Sequence, residues 1–208
     1  MNHYHVYRMV SRGWLLVGLV CLSLHSQVIE FESNGLRYKT LTKGGVTVMF
    51  ASLPGHVRDY DMMQISVSNG SPISWMIRPE DFSFQKSDGT VVTASPALSV
   101  VDSLVHKASR HDVMRLVSTY EAALYGNTHV VSTNGYEARR QNALAEVSSK
   151  GLKAGAAASA IALVPVKLLP GQSTDGAIFF QTASKTLGAG HLIVHLAAET
   201  FDFEVTEP

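Results

Sequence analysis

The chain has 208 residues, of which 46% are hydrophobic, and its 17 basic and 17 acidic side chains leave no formal net charge. A chain of this length folds as one domain, or at most two small ones, with a sizeable core. Contacts to nucleic-acid phosphates require clustered Lys and Arg, so a neutral chain without such a cluster argues against a nucleic-acid partner.

The first 26 residues have the pattern of a secretory signal peptide. Arg8 and Arg12 precede an apolar run from Trp14 to Leu24, and a small residue, Ser26, follows the run. This order of basic, apolar and small residues is typical of export signals. The run is shorter than the roughly 20 residues of a membrane-spanning helix. We therefore predict that residues 1–26 are a signal peptide and that the protein is secreted or periplasmic.

Cys21 is the only cysteine, and it lies inside the predicted signal. The alternatives to simple export are lipidation of Cys21, anchoring by an uncleaved signal, and a buried N-terminal helix of the folded protein. If Cys21 is removed with the signal, the mature chain holds no thiol. Disulfides, thiol catalysis and zinc-thiolate sites are then excluded together.

Strand signals begin at Leu36. The segments LRYKTL and VTVMFAS flank the sequence TKGG, which predicts a hairpin with a glycine turn. The sequence SLPGH, residues 52–56, then predicts a break in the chain. In the next segment Met63, Ile65 and Val67 alternate with polar residues, a period of two that indicates a strand with one buried face.

The following segment, SNGSPISWMIRPEDFSF, predicts a corner between two strands. Asn69 and Gly70 favour a tight turn with positive φ. Pro79 ends the next strand because proline has no N–H to donate. The predicted inward positions are Ile73, Trp75, Ile77, Phe82 and Phe84. Trp75 is interpreted as a core residue like the buried Trp of sandwich domains.

Apolar residues at spacings of three and four predict helix from Pro96 to Gly126, with a weak point at Ser109 to Asp112. A second helix is predicted over residues 136–149. The sequence GLKAGAAASAIAL that follows is ambiguous between helix and loop. Strand signals then return and continue to Val205. The economical arrangement is one antiparallel domain over residues 27–208, with a helical insertion at about 96–160.

Five polar residues at strand ends are the candidate metal ligands: His56, Asp59, Asp61, Glu80 and Asp81. Oxygen-rich calcium sites occur between loops, but aspartate is also common in turns for local hydrogen bonding. Copper would instead use His56 with Met62 or Met63, although Met63 also shares the apolar face of its strand. His191 and His195 lie four apart on one strand face, roughly 13 Å from each other, and cannot share an ion.

No catalytic residue and no cofactor are predicted. The sequence contains no G-x-S-x-G nucleophile motif and no glycine-rich phosphate loop. A pair of carboxylates for glycoside cleavage cannot be recognised from sequence, so a hydrolase stays open.

The segments ISVSNGSPISWMIRPEDFSFQKSDGT, LLPGQSTDGAIFFQT and FDFEV together resemble uncharacterised secreted bacterial domains with an immunoglobulin-like sandwich. The resemblance covers about Leu36 to Ala94 and Leu163 to Val205, and it leaves out the helical block. It implies a mainly β fold, an antiparallel immunoglobulin-like β-sandwich of about seven to nine strands with a two-helix insertion. No functional residue follows from it, because fold alone does not define an activity.

We expect a secreted or periplasmic module without enzymatic activity that binds a protein partner or contributes to an envelope assembly. The first alternative is a carrier of a small molecule or metal ion that uses the sandwich loops. The second is a hydrolase whose site the sequence does not reveal.

Overall fold

The computed structural model describes residues 27–33, 35–126, 150–183 and 186–206 of the chain. Within these ranges there are eleven strands and three α-helices, and all pairings between the strands are antiparallel. The mainly antiparallel β fold is as predicted. The numbers of strands and helices differ from the prediction of seven to nine strands and two helices. The additional elements are short strands and a third helix.

One sheet has five strands: β1 (Ile29–Ser33), β2 (Leu36–Lys43), β3 (Val46–Val57), β4 (Tyr60–Asn69) and β9 (Ser173–Gln181). Their order across the sheet is β1-β2-β3-β4-β9. The predicted hairpin around TKGG is the connection from β2 to β3, with Gly44 and Gly45 both at positive φ.

A second sheet has four strands: β6 (Phe82–Lys86), β7 (Val91–Thr93), β10 (Gly190–Leu196) and β11 (Glu199–Val205). Their order is β11-β10-β6-β7. Both sheets thus combine strands from the two ends of the chain, because β9 pairs with β4 in the first sheet and β10 pairs with β6 in the second.

The two sheets pack face to face around an apolar core. The Phe50 and Phe203 rings, one from each sheet, lie 5.1 Å apart edge to face, and the Phe84 and Phe180 rings lie 6.1 Å apart. Met63 is buried among these side chains, as its alternation with polar neighbours predicts. The arrangement of the sheets is sandwich-like.

The predicted corner is a crossover between sheets and not a hairpin turn. Neither Asn69 nor Gly70 has a positive φ, so the expected turn is wrong. The chain leaves β4 and enters a separate two-stranded ribbon of β5 (Trp75–Ile77) and β8 (Val166–Leu168). Ile73 is 59% exposed because it precedes β5, where the inward alternation begins.

The remaining inward positions of the corner are confirmed. Trp75 and Ile77 are buried, and so are Phe82 and Phe84 on β6. Between β5 and β6, Pro79 begins a short 3-10 turn that interrupts the strand. Proline cannot donate to a sheet ladder, which is the physical reason for the interruption.

Three helices, α1 (Ala97–Lys107), α2 (Arg110–Gly126) and α3 (Lys150–Ile161), pack on the outer face of the five-stranded sheet. A second core lies there, to which α1 contributes Leu104, α2 contributes Leu116 and β9 contributes Phe179. The five-stranded sheet is therefore buried on both faces. The helical stretch is interrupted at the predicted weak point, since α1 ends at Lys107 and α2 begins at Arg110. The Asp112 carboxylate accepts the Ser109 backbone N–H at 2.7 Å and so caps the N-terminus of α2.

The small residues of α3 allow it to lie directly against α1. A Cβ on Gly151 would stand 2.1 Å from the Val105 carbonyl oxygen, and a Cβ on Gly155 would stand 2.4 Å from Val105 Cγ2. This close packing explains why a stretch with little large apolar character is a helix.

The predicted signal peptide (1–26) and the predicted helix over 136–149 lie outside the described residues. Within the described ranges, no helix combines the length and the apolar character that a membrane crossing requires.

Candidate functional site

The candidate site begins at an irregularity in β3. The pairing of β3 with β4 shifts between Ser52, opposite Met63, and His56, opposite Asp61. The segment Leu53 to Gly55 therefore bulges out of the ladder, and Gly55 takes a φ of 77°. The sequence predicts a chain break here. The strand instead continues through a bulge, the place in a sheet interior where a proline is tolerated.

Helix α2 lies over this bulge. The Arg115 Nη1 donates a hydrogen bond of 2.7 Å to the His56 carbonyl oxygen, which ties the helix to β3. The Arg115 side chain runs past Gly55, where an added Cβ would stand 3.9 Å from Nη1. The bulge exposes a carbonyl group for Arg115. The positive φ of Gly55 favours glycine at this position, whereas an added Cβ would only be in ordinary contact with Arg115.

A groove of about 410 Å³ opens between the bulge and α2. The groove is lined by Pro54, Gly55, His111, Met114, Arg115, Ser118 and Thr119. The helical residues recur at intervals of three and four and so share one face of α2. Met114 is 61% exposed, although it is a large apolar side chain.

The groove carries two basic side chains close together. The second nitrogen of the guanidinium, Nη2 of Arg115, lies 3.1 Å from Nε2 of His111. In the part of the chain that the structure describes, no carboxylate forms an ion pair with Arg115. The nearby Asp112 carboxylate already accepts from Ser109 and lies 3.8 Å from Arg58 Nε.

Two of the predicted metal ligands, His56 and Asp61, lie at the end of the bulge, and neither of them lines the groove. His56 and Asp61 are opposite each other in the β3–β4 ladder. The Asp61 carboxylate accepts the Leu187 backbone N–H at 2.5 Å. Burial raises the pKa of Asp61 above its ordinary value, and this effect outweighs the opposing effects of the hydrogen bond and of His56.

The third predicted ligand, Asp59, lies in the tight turn between β3 and β4, where its carbonyl oxygen accepts the Thr182 backbone N–H at 2.7 Å. The last two, Glu80 and Asp81, lie in the 3-10 turn before β6. Asp81 accepts the Arg78 backbone N–H at 2.8 Å, and burial raises its pKa. Across the described ranges, no three His, Cys, Asp or Glu side chains are close enough to hold one ion.

The methionines considered for copper do not converge. Met62 is buried in the core beneath the helices, whereas Met63 is buried in the core between the two sheets. Their side chains thus leave opposite faces of β4, as expected for adjacent residues of a strand. His191 and His195 are exposed on β10, and each ring contacts a β11 side chain, Asp202 and Thr200 respectively.

A buried polar cluster under α2 was not foreseen from the sequence. The Tyr120 hydroxyl donates to the Asp175 carboxylate at 3.2 Å, and both residues are buried. Gln64, on the same sheet face, has a buried Oε1 without a hydrogen-bond partner among the described residues. A buried polar atom without a hydrogen bond lowers the free energy of unfolding, so buried polar groups of this kind are uncommon in a core. Here they lie at the contact between α2 and the five-stranded sheet.

Sequence reasoning also missed Arg115 and His111 as site residues. Their spacing of four on a predicted helix places them on one face, which is the signal that was available. That signal could not reveal the bulge of β3, which lies 59 residues from Arg115 in the chain.

Comparison of the chain with protein-family models, with curated proteins and with solved structures found no match. The geometry of the groove is therefore the basis for assigning a function.

Proposed function

We propose that this protein is a secreted or periplasmic module without enzymatic activity, and that it binds a protein partner through the groove between the β3 bulge and α2. The observation that carries the proposal is the exposed Met114 beside the fixed guanidinium of Arg115. Methionine and arginine are both enriched in protein interfaces relative to other surface.

The two side chains supply complementary properties for binding. Met114 is apolar, polarizable and flexible, so it adapts to the shape of a partner. Arg115 is already held by the His56 carbonyl oxygen, and a side chain that is ordered before binding loses less entropy when a partner arrives. A groove that is open along one side suits a segment of polypeptide better than a small molecule, which is usually enclosed on most of its surface.

Export is the second part of the proposal. It is supported by the basic, apolar and small residues of positions 1–26. N-terminal sequencing of the protein recovered from its native cells tests it. A chain that begins near residue 27 outside the cytoplasm is expected, and a full-length chain confined to the cytoplasm would contradict export.

We further propose that the fold is a variant of the immunoglobulin-like sandwich. The order β11-β10-β6-β7 corresponds to the order G-F-C-C′ of that fold, and β3-β4-β9 corresponds to A-B-E. The chain reaches these strands in the matching sequence. Under this assignment the helices stand between C′ and E, and Trp75 lies just ahead of strand C.

The partner interaction is tested by photo-crosslinking in the native cells. A benzophenone amino acid is placed at position 114 in one variant and at position 76 in a matched control. Met76 is a methionine of similar exposure, 47%, but lies on the β5–β8 ribbon away from the groove. We expect a discrete protein adduct from position 114 and none of that size from position 76. A variant that forms no adduct at position 114, or forms the same adduct at both positions, would contradict the proposal. Label on a small molecule alone would favour a carrier.

A further inference from the structure

We infer that the partner contributes an extended acidic segment, with one carboxylate against Arg115 and, two residues away on the same side of the segment, an apolar side chain against Met114. This inference rests on the proposed function, since it names the chemistry of the segment that enters the groove.

The first support is the fixed position of the guanidinium. One Arg115 nitrogen donates to the His56 carbonyl oxygen at 2.7 Å, and the other lies 3.1 Å from His111 Nε2. A guanidinium has five N–H donors, so these two contacts leave donors for a ligand. Its planar fork matches the two oxygens of a carboxylate, which makes this pairing stronger than a neutral hydrogen bond.

The second support is the charge around Arg115. Within the described ranges no acidic side chain forms an ion pair with Arg115, and the nearest acid on α2, Asp112, is engaged by Ser109 and Arg58. The neighbouring His111 adds no negative charge. A half-buried cation without a counter-ion attracts an anion from a partner more strongly than an exposed one, because the local dielectric constant is lower.

The third support is the composition of the rest of the groove. Pro54 and Met114 provide an apolar surface beside the cation, while Ser118 and Thr119 provide hydroxyl groups further along α2. An extended peptide presents side chains and backbone N–H and C=O groups in alternation. It can therefore place a carboxylate, an apolar side chain and backbone hydrogen bonds on these surfaces together.

The experiment measures binding of short peptides to the full chain by isothermal titration calorimetry. The probes are three terminally blocked heptapeptides with the central sequence Leu-Ser-Glu-Ser-Leu, Leu-Ser-Gln-Ser-Leu or Leu-Ser-Lys-Ser-Leu, in which the leucines share a side with the central residue, together with inorganic phosphate. We expect the Glu peptide to bind about tenfold more tightly than the Gln peptide, the magnitude of one charge-assisted hydrogen-bond pair. The Lys peptide is expected to bind least.

Variants then locate the effect. Arg115→Gln is expected to remove the difference between the Glu and Gln peptides, and Arg37→Gln, at an exposed arginine of β2, is expected to preserve it. Because Arg115→Gln also removes a tie to β3, the comparison of peptides on the unmodified protein stands independently of whether this variant folds.

Equal binding of the Glu and Gln peptides, or binding of inorganic phosphate as tight as that of the Glu peptide, would overturn the inference. In either case an adduct at position 114 would leave the proposed function standing. If no adduct forms but the Glu peptide is preferred, the anion site stands without a cellular partner of this kind.

Discussion

The indole Nε1 of Trp75 donates a hydrogen bond of 2.7 Å to the hydroxyl of Ser71. That hydroxyl in turn donates to the side-chain oxygen of Asn69 at 2.6 Å, and the amide nitrogen of Asn69 reaches the Leu168 carbonyl oxygen at 3.1 Å. One line of hydrogen bonds therefore joins the end of β4 to both strands of the β5–β8 ribbon. The corner is a structural joint, held by polar side chains inside a largely apolar region.

We predict that Ser71→Ala destabilises the protein by about 1–3 kcal/mol, because it leaves the buried Trp75 N–H without an acceptor. Urea unfolding measures the change. Ser74→Ala, at an exposed neighbouring serine, is the control and should stay within about 0.5 kcal/mol. In a Trp75→Phe background, which has no indole N–H, Ser71→Ala should cost less. An equal cost in both backgrounds would mean that the hydrogen bond is not responsible.

The sequence predicted the apolar part of this corner and missed its polar part. Trp75, Phe82 and Phe84 are buried as their spacing indicates, because alternation along a strand depends only on local geometry. The Asn69–Gly70 pair has the chemistry of a hairpin turn, but the Asn69 side chain bonds Leu168, 99 residues away. A contact of this range leaves no local pattern.

The contact of α3 with α1 gives a second prediction. An alanine in place of a helix glycine usually stabilises by about 0.8–1 kcal/mol. Here we expect Gly151→Ala and Gly155→Ala to lower the free energy of unfolding instead, because each added Cβ overlaps Val105. Overpacking of this kind costs typically about 1–3 kcal/mol. Thermal and urea unfolding measure the change.

The two glycines differ in a way that supplies the control. Gly155 faces the Val105 side chain, whereas Gly151 faces the Val105 carbonyl oxygen, which every residue has. Val105→Ala should therefore relieve much of the cost of Gly155→Ala and none of the cost of Gly151→Ala. Relief of both, or of neither, would argue against the close packing of α1 and α3.

A third prediction concerns the dependence of stability on pH at Asp61. Burial raises its pKa above the ordinary 3.8, so the folded protein holds this proton more tightly than the unfolded chain. The resulting stabilisation is complete below the unfolded pKa and is lost as the pH rises through the higher folded pKa. Asp61→Asn removes this loss and keeps an oxygen for the Leu187 N–H.

The free energy of unfolding of Asp61→Asn, relative to the unmodified protein, should thus increase as the pH rises from the ordinary pKa of 3.8 through the higher folded pKa. Asp88→Asn is the control of opposite sign. The Thr90 backbone N–H lowers the Asp88 pKa, so this carboxylate stabilises the fold above its unfolded pKa and ceases to as the pH falls. Parallel pH profiles for the two variants would contradict the account.

A fourth prediction concerns the outer edge of β11. Lys39 and Lys43 of β2 donate to the carbonyl oxygens of Glu204 and Thr200, at 2.7 and 2.6 Å. Lysines over an edge strand hinder its pairing with another chain. The double variant Lys39→Met, Lys43→Met should self-associate at concentrations where the unmodified protein does not, as sedimentation velocity measures.

The matched control for the edge is Lys153→Met, an exposed lysine of α3 that lies away from β11. This substitution removes a charge from the surface without uncovering an edge strand. The sedimentation coefficient of the variant should therefore equal that of the unmodified protein. Association of both variants to the same degree would attribute the effect to lost charge and not to the exposed backbone.

The groove illustrates why sequence predicted little of the site. The His111–Arg115 spacing and the Pro54–Gly55 pair are both visible in the sequence, but each has an ordinary explanation when taken alone. Their importance arises from the packing of α2 on β3, where Arg115 meets the carbonyl oxygen that the bulge exposes. The predicted ligands His56 and Asp61 are not among the residues that line the groove.

Hydrogen–deuterium exchange of the full chain, alone and with the protein that crosslinks at position 114, tests most directly whether the groove is the binding surface. We expect slower exchange in two segments that are distant in sequence and adjacent in the fold, residues 52–57 of β3 and 111–119 of α2. The β5–β8 ribbon should exchange at an unchanged rate. Protection of the ribbon without protection of both groove segments would contradict partner binding through the groove.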